Sequence, residues 1–85
     1  MGEVTKAPGV EVEVLMVFTV ILEADDETRT FAATSPDLPD VLAVGDSEDD
    51  AVARFVNAAR GHLEFLRETG REAPHPRTKV LAVAV

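Results

Sequence analysis

The chain has no cysteine, so neither disulfides nor a thiolate zinc site hold it together. It is short of positive charge, with 8 Lys and Arg against 16 Asp and Glu and a net charge of −8. Direct nucleic-acid binding is therefore not expected, because phosphate contacts need clustered cations. A basic protein suits this charge better. Its longest apolar run, Val14 to Leu22, is too short to span a membrane. Glu11 and Glu13 stand where a signal peptide needs positive charge, so a cytoplasmic location is expected. No glycine-rich phosphate loop is present, and Ser35 and Ser47 have no recognisable base in context.

What is present is one domain. Its 85 residues leave no room for a second. A domain of this size buries only about 60–65 % of its unfolded surface, and without cross-links oligomerisation is the usual support.

The strongest signal runs from Ser47 to Gly70. Ser47 is a good N-cap, Asp50 stands at the third helical position, and Glu48, Asp49 and Asp50 favour the positive end of the helix dipole. Ala51, Val52, Phe55, Val56, Ala59, Leu63 and Leu66 recur at spacings of three and four and predict one apolar stripe. Asp50–Arg54 and Arg60–Glu64 have the i,i+4 spacing of ion pairs. Gly70 supplies a left-handed residue after the helix, and Pro74 prevents its resumption.

Ahead of the helix, residues 1–9 read as a flexible tail and residues 10–85 as the domain. From Val10 the residues alternate. Val10, Val12, Val14, Met16, Phe18, Val20 and Leu22 form a face expected to meet the helix. The opposite face carries Leu15, Val17, Thr19 and Ile21, apolar positions that a two-layer domain leaves open. Ala24–Glu27 reads as an acidic turn, and Thr28–Thr34 as a second strand with Arg29, Phe31 and Ala33 on one face. Ser35 to Asp40 is a rigid loop with two prolines, and Val41–Val44 a third strand leading through Gly45-Asp46 into the helix. Arg71–Arg77 is a loop. Lys79–Val85, apolar without alternation, is expected to form a final strand buried on both faces or paired with another chain. The predicted class is α+β in the order βββαβ: an antiparallel three-stranded meander, a long helix on one face, and a fourth strand parallel to the first.

Catalytic candidates are few. His62 and His75 have no cysteine to pair with, show no metal-ligand spacing, and read as surface residues. The carboxylates Glu23, Asp25, Asp26 and Glu27, and Asp46, Glu48, Asp49 and Asp50, lack the spacing of a calcium loop. They read first as solvated faces, then as contacts for a partner, and last as metal ligands. Glu23 and Asp46 are the only carboxylates suitably placed for a metal-dependent nuclease, the least favoured reading. No catalytic residue, metal or cofactor is expected.

Several stretches together resemble one family. Phe18-Thr-Val-Ile-Leu-Glu23, the acidic turn, Phe31-Ala-Ala, Ser35-Pro-Asp-Leu-Pro39, Val44-Gly-Asp-Ser47, the Ala-rich helix and Glu68-Thr-Gly-Arg-Glu-Ala-Pro-His-Pro76 are similar to the HicB antitoxins of bacterial and archaeal toxin–antitoxin pairs. The resemblance covers roughly Met16 to Val85 and departs from the pattern at Asp40-Val41, where the family usually has Gly-Cys or a similar pair. It implies a truncated ribonuclease-H-like βββαβ fold without nuclease activity. It also implies self-association and binding to HicA, a small basic ribonuclease toxin. Family members carry a C-terminal DNA-binding domain, whereas this sequence ends at Val85 after the expected fourth strand, so operator binding is not expected of it.

Two functions follow as expectations. One is an antitoxin that covers a basic toxin through Asp25, Asp26, Glu27, Asp37 and Asp46. The other is a small oligomeric structural or regulatory module without a toxin. In either case a homodimer or tetramer is expected, with Leu15, Val17, Thr19, Ile21, Leu81 and Val83 at its interface.

Overall fold

The structure, a computed structural model, describes residues 16–85. The expected tail 1–9, the start of the first strand at Val10–Val14, and Leu15 lie outside the described residues. Three strands precede one helix: β1 (Ile21–Asp25), β2 (Thr30–Thr34), β3 (Leu42–Gly45) and α1 (Glu48–Glu68). The strands form an antiparallel sheet in the order β1-β2-β3, with α1 across one face. This is the α+β meander and long helix that the pattern predicts.

Alternation sorts the residues between two faces. Leu22, Ala33 and Ala43 align across the sheet, as do Ala24, Phe31 and Gly45. Leu22, Phe31, Ala33 and Ala43 pack into the core with Ala51, Phe55 and Ala59 of α1. Phe18 and Val20, expected on this face, pack against the same cluster. Small residues on both sides bring the helix close to the sheet. At Gly45 an added Cβ would lie 2.4 Å from the Ala51 nitrogen, so glycine is required there by close approach.

The proline loop contributes more than rigidity. Leu38 is 1 % exposed and, with Phe55, is one of the two bulkiest side chains buried in the central core cluster. Two consecutive turns aim it inward: the Leu38 N–H donates to the Ser35 carbonyl at 3.1 Å, and the Val41 N–H to the Leu38 carbonyl at 3.0 Å. Ser35 is buried, and its hydroxyl accepts the Asp37 N–H at 3.3 Å.

The helix is capped at both ends as expected. Ser47 Oγ accepts the Asp50 N–H at 3.0 Å. Gly70 has φ of 76°, and the Gly70 N–H donates to the Arg67 carbonyl and the Arg71 N–H to the Leu66 carbonyl, the Schellman pattern. The buried stripe is Ala51, Phe55, Ala59 and Leu66. Val52 and Leu63 are half-buried, while Val56 is exposed because it turns past the edge of so narrow a sheet. Asp50–Arg54 forms at 3.1 Å, but Glu64 pairs with Arg67 at 2.9 Å rather than with Arg60.

Three expectations are corrected. Residues 16–20 are not strand, because β2 ends opposite Ile21 and the Ser35-Pro36 turn leaves no neighbour for residues before it. The hairpin loop is residues 26–29 and not 24–27, so Arg29 sits in the turn with φ of 56°. The Asp25 carboxylate shapes that turn, accepting the Glu27 N–H at 2.9 Å and the Thr28 N–H at 3.4 Å. Finally, residues 79–85 form no strand, and Val80, Leu81, Val83 and Val85 are exposed. A ladder needs a partner strand, and the neighbouring residues 16–20 do not provide one. The segment is held at Thr78, whose carbonyl accepts from Thr19 Oγ1 at 3.4 Å and whose N–H donates to Asp37 Oδ2 at 3.2 Å.

Candidate functional site: the open face of the sheet

The register that builds the core also builds the opposite face. Ile21, Thr34 and Leu42 align across the three strands, and Glu23, Ala32 and Val44 align one step further along. Asp25 pairs with Thr30 in the next outward row. Asp46, in the bend just past Gly45, lies at the same end of the sheet, where its N–H donates to Asp50 Oδ2 at 3.0 Å. The open face therefore grades along the strands from an apolar row, through a mixed row, to an acidic one.

No part of α1 covers these rows. Ile21 is 42 %, Leu42 63 % and Val44 49 % exposed. Glu23, Asp25 and Asp46 are exposed, with Thr30, Ala32 and Thr34 half-buried between the outer strands. An open hollow lined by Glu23, Ala24, Asp25, Asp26, Glu27 and Ala32 lies where the face meets the hairpin loop. Asp26 and Glu27 extend the acidic end, and Arg29 is the one cation of that loop.

The expected site residues thus separate into two places. Asp25, Asp26, Glu27 and Asp46 gather at the hairpin end of the sheet. Asp37 lies at the other end, half-buried, with its carboxylate engaged by the Thr78 N–H. Of the expected oligomer residues, Ile21 joins the open face, and Val17 is exposed in the segment before β1. Thr19 is half-buried against Thr78, and Leu81 and Val83 are exposed in the C-terminal segment. Leu42 and Val44 are additional members of the face. Their exposure depends on a register that no local motif in β3 encodes.

The carboxyl pKa of Asp50 lies below the ordinary 3.8, chiefly because the Asp46 N–H donates to it and then because Arg54 is adjacent. Among the described residues no group of three or more His, Asp and Glu is placed to hold a metal ion. Glu23 is on β1 and Asp46 lies just past the end of β3, with β2 between them, so the two are at least about 10 Å apart across the sheet and do not converge. His62 is half-buried 3.9 Å from the Asp40 carboxylate, and His75 is exposed 3.9 Å from Glu72. No helix among the described residues is long and apolar enough to cross a membrane.

The arrangement is an open surface, apolar at one end and negative at the other. No curated protein and no solved structure matches the chain significantly. A family model does match, over residues 18–83, and its description is a HicB-like antitoxin of a bacterial toxin–antitoxin system. With the match spanning the sheet, the helix and most of the C-terminal segment, the chain belongs to the HicB-like antitoxin family.

Proposed function

We propose that the chain is an antitoxin that binds and neutralises a small basic toxin of the HicA type by protein–protein contact, in a non-catalytic role. The family membership carries this reading. The net charge of −8 supports it, since it draws a cationic protein and disfavours direct contact with nucleic acid. The test is a titration of this protein into a HicA-type toxin encoded beside it, following RNA cleavage and growth arrest. Cleavage should stop at a stoichiometric ratio. Failure to bind the toxin at micromolar concentration would overturn the reading and leave the structural or regulatory module.

Self-association belongs to the same proposal. Val80, Leu81, Val83 and Val85 form an exposed apolar run that a second copy would cover, and a domain this small gains stability from such cover. Sedimentation at micromolar concentration should give a homodimer or tetramer. A well-folded monomer would refute it.

A further inference from the structure

We propose that the open sheet face is one continuous docking surface with two functional ends, and that its occupant is the basic toxin rather than a second copy of this chain. The inference rests on the antitoxin reading and names the surface that serves it. Sequence alone assigns Ile21 to a self-association set and Asp25, Asp26, Glu27 and Asp46 to an acidic partner set, and assigns Leu42, Val44 and Glu23 to neither. The register joins them: Ile21 and Leu42 lie in one row, Glu23 and Val44 in the next, and Asp25 beyond, with Asp46 in the bend that follows β3 at that end.

Charge selects the occupant. Two copies stacked through this face would each bring Glu23, Asp25, Asp26, Glu27 and Asp46 into the interface, and like charges brought together there oppose association. A protein with an apolar patch bordered by Lys and Arg complements both ends at once. The exposed rows are also too apolar to be explained as a solvated acidic edge alone, given Leu42 and Val44 on β3 and Ile21 across Thr34 on β1.

The geometry assigns different work to the two ends. The apolar row holds the complex once formed and governs dissociation. The acidic row sits at the rim, next to the hairpin hollow, and governs encounter.

The test uses the full chain and the HicA-type toxin in stopped-flow and equilibrium binding, with three variants. Leu42→Thr with Val44→Thr removes the apolar end while keeping β-forming side chains. Asp25→Asn with Asp46→Asn removes charge while leaving an oxygen at position 25 to accept the turn N–H groups. Val56→Thr, exposed on the helix away from the face, is the control. The apolar pair should raise Kd at least about tenfold, mainly through faster dissociation. The acidic pair should slow association and flatten its salt dependence, with dissociation little changed. The control should bind as wild type, and circular dichroism should show all three folded. If the wild-type chain does not bind the toxin, the antitoxin reading itself fails. If it binds and both face variants match it, this inference fails while the antitoxin reading stands. Loss of self-association in the Leu42/Val44 variant with unchanged toxin binding would assign the face to a second copy and also overturn the inference.

Discussion

The two faces of this sheet come from the same strands and the same alternation, yet they follow opposite rules. The inner face uses small residues, Ala33, Ala43 and Gly45, so that α1 approaches closely and Phe55 and Leu38 fill the space left. The outer face carries larger apolar side chains, Ile21, Leu42 and Val44, and leaves them in solvent. On β3 alone, size would rank the outer Leu42 and Val44 above the inner Ala43 and Gly45 as core residues. What differs is the neighbour: burial is worth about 25 cal/mol per Å² only where another element removes water. Inside, that element is the helix of the same chain. Outside, no element among the described residues does so.

Substitutions on the two sides test this contrast. Phe55→Ala should have the largest effect, about 3–5 kcal/mol in urea unfolding, because its ring is buried on all sides. Leu38→Ala should follow at about 2–5 kcal/mol, although it comes from a loop. A loss below about 0.5 kcal/mol would show that Leu38 is not a core residue. Gly45→Ala should lie near or above the top of the roughly 1–3 kcal/mol range for overpacking, because the atoms it meets are helix backbone and cannot rotate aside.

On the outer face the expected effects are small. Leu42→Thr should change stability by no more than about 0.5 kcal/mol in the free protein, as should Arg60→Ala on the exposed side of α1. If Leu42→Thr instead costs as much as Leu38→Ala, the outer row is buried in the free protein and the contrast between faces collapses. The smallest effect is expected at Asp50. Its folded pKa is depressed, so its contribution to stability is present above the unfolded value near 3.8 and is lost as pH falls through the lower folded value. Asp50→Asn should therefore flatten the acid limb of the urea midpoint below about pH 4, leaving the core substitutions unaffected.

Where prediction and structure agree, the signals are local. The stretch Ser47 to Gly70 names its own cap, dipole charges, apolar stripe and terminating glycine within a few residues of where each acts, and α1 forms accordingly. Alternation in Phe18, Val20 and Leu22 identifies the core side because side chains in an extended chain change face at every residue.

Other features required the fold. Leu38 looks like a loop residue between two prolines, and only the pair of turns around it directs it into the core. Arg29 occupies a left-handed position with no glycine or asparagine to announce it, since the Asp25 carboxylate holds the turn instead. The apolar segment 79–85 has the composition of a strand, but a strand exists only against a partner, and the described residues offer it none. The same reason governs the open face. Local pattern determined which residues of each strand point outward. Which outward residues share a row, and hence the gradient from Ile21 and Leu42 to Glu23 and Asp25, was decided by the pairing register between successive strands, which the loops joining them do not announce.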